Sequence, residues 1–438
     1  MKPFDYQEPH IQHMMEVFLD KGIVLDASST GVGKTFCSLE LVRRLGYSPA
    51  IVCPAVAKHG WADHCEKMGL EPVFIESYAK MRGGKTTWVK KRGKKAFKWD
   101  IPDHAVLIFD EVHKTAQYKS LTSHLVRHAL QQDFAAILLS ATLADNPLKL
   151  RSLGPFLGLF ARKHWDRFAI TYGCHVSYFN RFAFEWTSDI EDQRHHMNQL
   201  HQQIFPTWGS RLRKEDIAGF PETVIEGKLL HTNGVRDLNK VLEENKLLRK
   251  KLSISVSSGA GDLEVYGYQR QVLELARIKP MLAWTQEYVT GGHSVVMFVN
   301  FRASLQWLVE KLLVAKIPIC TIHGDQTDVQ RGDALTRFAR DEARVCICMV
   351  QAGGIAVNLQ DRVGKYPRVS LISPMYSSTE LKQVLGRVHR ADSATKSLQY
   401  ICYLAGTLEE EVYNNVTSKL KNLDCLNDGD LQYGEDHE

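Results

Sequence analysis

The chain has 438 residues, with 55 Lys and Arg against 50 Asp and Glu, a net charge of +5; it is 44% hydrophobic and 24% charged. These proportions exclude a mainly disordered chain, a fibrous repeat and a small disulfide scaffold, and at about 150 residues per domain the length allows roughly two to three domains with sizeable cores. Nine cysteines with no Cys-x-x-Cys pair fit a reducing compartment. No signal segment follows Met1, and no apolar run approaches the ~18 residues of a membrane span. The expected setting is the cytoplasm of a bacterial or phage-infected cell, or the nucleus of a eukaryote.

In chain order, Ile23-Val24-Leu25, Ala50-Ile51-Val52, Val106 to Phe109 and Ala136 to Leu139 read as buried parallel strands. A second series comprises Ser294 to Val299, Ile319 to Ile322, Val345 to Met349 and Val369 to Ile372. Continuous apolar runs of this length are what strands covered by helices on both faces require. Two such sets predict two α/β domains. Within the second set, Cys346 and Cys348 read as small core residues. Between the sets, aromatics and His crowd Trp165 to Trp208, a helical stretch follows from Val235 to Leu252, and Ser253 to Gly261 is rich in Ser and Gly, the composition of a connection. The acidic end, Asp424 to Glu438, is expected to fray. His195, His196 and His201 have no Cys or carboxylate at ligand spacing and are not read as a metal site.

The first strand runs into Ser28-Ser29-Thr30-Gly31-Val32-Gly33-Lys34-Thr35 and then a helical pattern. Strand, glycine loop and helix together form a phosphate cradle: backbone N–H groups and the helix N-terminus face the anion, Lys34 reaches the terminal phosphates, and Thr35 ligates Mg²⁺. The strict pattern has Gly where this chain has Ser28. The strand Val106 to Phe109 ends in Asp110-Glu111-Val112-His113, which puts carboxylates beside the loop. Asp110 is expected to hold Mg²⁺, and Glu111 to orient and deprotonate an attacking water.

These motifs recur in a fixed order with others, and from about Phe4 to Lys421 the chain resembles the superfamily 2 helicases, specifically the Swi/Snf-type DNA-dependent ATPases. Tyr6-Gln7 looks like the adenine-reading glutamine. Val52-Cys53-Pro54-Ala55 with Trp61 resembles a segment that contacts one DNA strand, and Ser140-Ala141-Thr142, followed by Asn146-Pro147, resembles the coupling motif. Arg211-Leu212-Arg213-Lys214 with Phe220-Pro221 resembles the segment before the second motor domain. Met297 to Phe301, His323-Gly324-Asp325, Gln351 to Leu359, Gln383 to Arg390 and Gly406 to Glu410 resemble the motifs of that domain.

The resemblance implies two RecA-like parallel-sheet domains in tandem with a helical insertion. The expected boundaries are 1–228 (with a hairpin insertion at 80–99 and a helical region at 150–215), a helical linker at 229–278, and 279–438. It implies ATP and Mg²⁺ as cofactors, held by Gln7, Gly31, Gly33, Lys34, Thr35, Gly354 and Gln383, with Arg387 and Arg390 reaching the terminal phosphate when the cleft closes. DNA contacts are implied at Pro54, Lys58, Asn300, Gly324 and Gly353, and coupling at His113, Ser140 and Thr142. The Arg-Leu-Arg-Lys segment, with Asn198, Leu200 and His201 upstream, looks most like the annealing, fork-remodelling branch.

One segment is not accounted for by motifs. Between Ser77 and Trp99 there are nine cations and no acid, more positive charge than the whole chain's net. With Arg92-Gly93 as the turn, a hairpin would pair Trp88 with Phe97 and set Lys90 and Lys95 on one face. Lys90, Lys91, Arg92, Lys94 and Lys95 are then candidates to grip phosphates, and the aromatics to stack on a displaced base. The expected protein is an ATP-driven translocase on duplex or branched DNA, acting as a monomer. The alternatives are a strand-separating helicase on DNA or RNA and a nucleotide-switched DNA-binding module with little turnover.

Overall fold

The computed structural model describes residues 2–178, 180, 182–231, 262–350 and 357–428. It divides into a first unit, Met1–Ala218 with Lys419–Glu438, and a second, Gly219–Ser418.

In the first unit, β1 (Ile23–Asp26), β2 (Ser48–Cys53), β3 (Phe74–Ser77), β6 (Ala105–Asp110), β7 (Ala136–Leu139) and β10 (Gly209–Ser210) form one parallel sheet in the order β10-β1-β7-β6-β2-β3; β4 (Val89–Arg92) pairs with β5 (Ala96–Trp99), and β8 (Cys174–Val176) with β9 (Phe184–Trp186), as separate antiparallel hairpins. Alternate residues of the sheet feed two cores. Leu25, Leu107, Phe109 and Leu138 pack with Trp99 and Leu125 on one face. Val24, Ile51, Ile108 and Ile137 pack on the other with Met14 and Phe18 of α1 (Glu8–Lys21) and Leu39 and Leu41 of α2 (Lys34–Arg44). Both faces are thus covered, as the continuous apolar runs predicted.

The second unit holds β11 (Thr223–Leu230), β12 (Ser294–Val299), β13 (Ile319–Ile322), β14 (Val345–Met349), β15 (Arg368–Ile372) and β16 (Ser397–Leu404), parallel throughout in the order β11-β16-β15-β12-β14-β13. Cys346 and Cys348 are fully buried in β14. Each unit is a parallel sheet layered with helices. Among the described residues no helix is long and apolar enough to cross a membrane.

Several expectations need correction. The boundary at 228 falls inside β11, which pairs with β16 along its whole length and so belongs to the second sheet. The region 150–215 is not uniformly helical: it contains the β8–β9 hairpin and β10, which extends the first sheet. Asp424 to Asp428 do not fray. They end the helix Leu408–Asp428, where Cys425 and Leu426 are buried and Asp428 forms an ion pair with Arg211, a partner 217 residues away that charge counting cannot see. The stretches Val235 to Leu252 and Ser253 to Gly261 lie outside the described residues, as does 429–438.

The basic hairpin forms in a different register. Val89 faces Trp99, Lys90 faces Lys98, Lys91 faces Phe97 and Arg92 faces Ala96, around a three-residue loop opened by Gly93 at φ 72°. A glycine in the left-handed region suits such a loop. Burial sets the pairing: Val89, Phe97 and Trp99 turn inward together. Trp99 donates its indole N–H to the Leu125 carbonyl (3.1 Å), and Trp88 packs on Phe74. The aromatics are therefore core, not a stacking platform.

Candidate functional site

The phosphate loop follows β1, the strand next to the short edge strand β10, and leads into α2. Gly31 and Gly33 have φ of 87° and 103°, in the left-handed region that glycine tolerates. Gly33 is doubly required, because a Cβ there would stand 2.3 Å from Gln7 Nε2. Gln7 is buried against the loop. Its Nε2 donates to the Val32 carbonyl (3.0 Å) and its Oε1 accepts from Phe4 N (3.0 Å), so part of the amide expected to read adenine braces the loop instead. Lys34 Nζ donates to the carbonyls of Ser28 (2.7 Å) and Ser29 (3.0 Å). Burial holds this ammonium below its ordinary pKa despite the attraction of Asp26, Glu111 and Asp110.

Ser28 explains the departure from the strict glycine pattern. Its Oγ accepts from Leu212 N (2.9 Å) and lies 3.3 Å from His10 Nε2; Ser29 N donates to the Leu212 carbonyl and Ala27 N to that of Ser210. A glycine would have no hydroxyl for this seam. Behind it, buried Asp26 accepts from Ser28 N and faces His10 at 3.4 Å. Burial works to raise the Asp26 pKa, but His10 and Lys34 outweigh it and hold the carboxyl below its ordinary value. Arg211 bonds the Ala27 carbonyl and Asp428 together, and Asn427 donates to the Ala141 carbonyl (3.1 Å). The end of the helix Leu408–Asp428 thus touches both the phosphate loop's strand and the Ser140-Ala141-Thr142 turn. No sequence signal marked His10, Asp26, Asn427 or Asp428, since each acts through partners far along the chain.

Asp110 ends β6 at the C-terminal edge of the sheet. Its Oδ2 accepts from the Trp61 indole N–H (3.0 Å) and its carbonyl from Tyr78 OH (2.9 Å). Burial first, and then Glu111, push its carboxyl up to about 6. Glu111 sits at φ 55°, ψ 49°, a left-handed conformation costing about 1–2 kcal/mol for a residue with a Cβ, the kind of strain that collects at working sites. His113 Nδ1 lies 3.2 Å from Glu111 Oε2, 3.0 Å from Ser140 Oγ and 3.3 Å from Thr142 Oγ1. The three residues expected to couple are therefore one cluster on the carboxylate. Two adjacent carboxylates, one of them costly to ionise, offer oxygen donors of the kind a hard divalent cation takes.

Other expected contacts are differently placed. Pro54 is buried at the end of β2, and Trp61, on α3 (Lys58–Lys67), points inward to Asp110 rather than outward. Lys58, half-exposed, pairs with Glu76 at 3.0 Å. Lys90, Lys91, Arg92, Lys94 and Lys95 are all exposed on the hairpin, and none is in an ion pair among the described residues. In the second unit Gly324 lies in open space. Asn300 does not offer its amide outward: Nδ2 donates to Glu274 (2.9 Å) and to the Pro374 carbonyl (3.1 Å). Glu274, Arg277 and Glu409 form a fully buried ionic cluster there, Arg277 also donating to Ser373 Oγ. Gln383 and Arg387 are buried; Arg390 is half-buried, bonds the Val357 carbonyl, and is pushed down to about 9 by burial and by Arg387. His389 Nε2 meets the Pro221 carbonyl at 2.6 Å, which docks the Phe220-Pro221 segment. Gly353 and Gly354 lie outside the described residues.

A phosphate loop, a strand-end Asp-Glu pair and a His-Ser-Thr cluster on one parallel sheet are the parts an ATP-hydrolysing enzyme requires. The helicase conserved C-terminal domain family matches residues 279–392. A protein of Acanthamoeba polyphaga mimivirus that carries the name "Putative ATP-dependent RNA helicase L364" is 28% identical over 98% of this chain and 84% of its own length. The chromatin remodeling factor mit1 of Schizosaccharomyces pombe is 23% identical over 30% of this chain and 9% of its own. The solved SWI2/SNF2 ATPase core of Sulfolobus solfataricus in complex with dsDNA aligns over 99% of this chain and 94% of that one, at 15% identity and a TM-score of 0.39. The chain thus carries a helicase conserved C-terminal domain over residues 279–392 and is similar along nearly its whole length to a protein that bears a helicase name.

Proposed function

We propose that the chain is a nucleic-acid-stimulated ATPase that translocates on double-stranded or branched DNA and remodels it without processive strand separation. The reading is carried by the unbroken run of contacts from Glu111 through His113 to Ser140 and Thr142, reinforced by Trp61, which links Asp110 to the helix after Pro54. A change at the carboxylates is felt at once by two segments that the family resemblance assigns to DNA. Lys34 neutralises the terminal phosphates and Glu111 takes the proton of the attacking water; the family resemblance assigns stabilisation of the transferring group to Arg387 and Arg390. Thr35 and Asp110 would hold Mg²⁺, which would supply neutralisation of phosphate charge. The hairpin supplies electrostatic grip. It retains Lys90 directly opposite Lys98, a like-charge pair that disfavours the ribbon unless an anion lies against it.

A second reading, a strand-separating helicase on DNA or RNA, is favoured by the Ser140-Ala141-Thr142 form of the coupling motif and by the name of the mimivirus relative. One assay set separates the two. ATPase is measured with duplex, forked and single-stranded DNA and with RNA, beside triplex displacement and duplex unwinding. Duplex stimulation with triplex displacement and no unwinding supports translocation; RNA-specific stimulation or unwinding replaces it with the second reading.

A further inference from the structure

A second cationic feature stands apart from both the phosphate loop and the hairpin. Arg127 projects from the helix Leu121–Leu130, Arg151 ends the short 3₁₀ turn Pro147–Arg151, and Arg162 begins the turn before Trp165. All three line one pocket of about 50 Å³ with Tyr118, Phe156 and Trp165, and no Asp or Glu lines it. The guanidinium of Arg127 lies 3.9 Å from the Tyr118 ring centre; that of Arg151 lies 4.5 Å from Tyr118 and 4.8 Å from Trp165; that of Arg162 lies 5.2 Å from Phe156. The contacts of Arg127 are to uncharged oxygens, Ser123 Oγ and the Tyr118 carbonyl, and to the His124 ring at Nδ1, each at 3.2 Å. Among the described residues none of the three forms an ion pair. Three like charges are thus held together by aromatic faces with no counter-charge.

We propose that this pocket is a phosphate-binding subsite that takes a backbone phosphate of a polynucleotide. Planar guanidiniums presenting several donors, held in place by stacking, are the side chains that meet phosphate oxygens bidentately. A nucleic-acid source is favoured because the same helix carries the basic hairpin: Trp99 bonds the Leu125 carbonyl, and Phe97 packs 6.2 Å from His128, one residue from Arg127. The pocket is also tied to the catalytic turn. Ser152, beside Arg151, donates to the Thr115 carbonyl at 2.7 Å and meets Ser123 Oγ at 2.7 Å, two residues from His113 and on the helix of Arg127 respectively. Occupancy of the pocket therefore braces the segment that carries His113.

The inference rests on the nucleic-acid reading above but not on DNA over RNA. The test uses the full chain, with Arg162→Gln and the pair Arg151→Gln/Arg162→Gln, and a labelled 30-base-pair DNA duplex or the matching RNA titrated by fluorescence anisotropy at several salt concentrations. Expected is about a 10-fold weaker affinity for the pair, with the slope of log K against log salt reduced by about one to two, and ATPase without polynucleotide unchanged. Melting temperature is followed for each variant, and Arg162→Gln, at an exposed residue, keeps the test open if the pair unfolds; alone it is expected to lower the slope by about one. An unchanged affinity and slope in a folded variant overturns the proposal. So does binding of inorganic phosphate or poly-glutamate that the variants abolish while polynucleotide binding stays intact. If the parent binds RNA and not DNA, the functional reading fails and the same comparison on RNA decides the pocket; if it binds neither, both fall.

Discussion

Two buried clusters of charge sit near the C-terminal edges of the two sheets, and they are built in opposite ways. In the second unit, Glu274 accepts from Asn300 N, Asn300 Nδ2 and Phe301 N, while Arg277 is shared by Glu274, Glu409 and Ser373. Each carboxylate has donors, and Glu409 also accepts from Leu404 N, which explains why the Gly406 to Glu410 signature carries that residue. In the first unit Asp110 has one indole N–H, Glu111 is held at positive φ, and Lys34 is turned to loop carbonyls. The first arrangement holds the fold together. The second holds charge ready for something that is not protein, and the stability of the fold is lower for it.

The comparison can be broken most sharply by Glu111→Gln. Turnover is expected to fall by about 10²–10⁴, the range for loss of a general base, with folding retained by circular dichroism. A variant that hydrolyses ATP at the parental rate would remove Glu111 from the chemistry. Next is Arg277→Met, which leaves Glu274 and Glu409 buried without their cation; a loss of about 3–5 kcal/mol in denaturant unfolding is expected.

Asp110→Asn should do the reverse. The folded-state pKa of Asp110, about 6, lies above the ordinary carboxylate value of about 4, so its ionisation weakens the fold above pH 6 and that penalty fades as the pH falls toward 4. The variant is therefore expected to melt roughly 2–5 °C higher than the parent at pH 7.5, to lose that advantage by pH 4, and to have no ATPase. A parent more stable than the variant at pH 7.5 would mean that Asp110 is satisfied after all. The smallest effect is expected from Lys58→Ala. Its partner Glu76 keeps Lys80, and both lysines are well exposed, so less than about 0.5 kcal/mol should be lost.

What could be read in the sequence follows the physics of burial. The eight strands read as apolar runs form inner positions of the two sheets, except β13, which closes an edge. The unread ones are β3, with Glu76 in it; β10, two residues long; β11, mostly exposed along one edge; and β16, where Ser397 and Gln399 interrupt the apolar pattern. A strand covered on one face or at an edge lacks the continuous signal. The hairpin was visible as charge, but its register depended on which aromatics could reach the core beneath it, and that core is shared by the sheet and the helix Leu121–Leu130.

The order of residues alone marked the candidate site: a loop of Gly31, Gly33, Lys34 and Thr35 after a strand, and a carboxylate pair after another, can be recognised because strand, turn and helix are short-range structures. The choices made by distant segments belonged to tertiary structure. Ser28 replaces a glycine because Leu212 N–H arrives to meet its hydroxyl; Trp61 faces Asp110 rather than nucleic acid; Asn300 serves Glu274; Asp428 is held by Arg211. In each case a polar group is removed from water, and the partner that makes this tolerable comes from a part of the chain whose proximity only the packed fold creates.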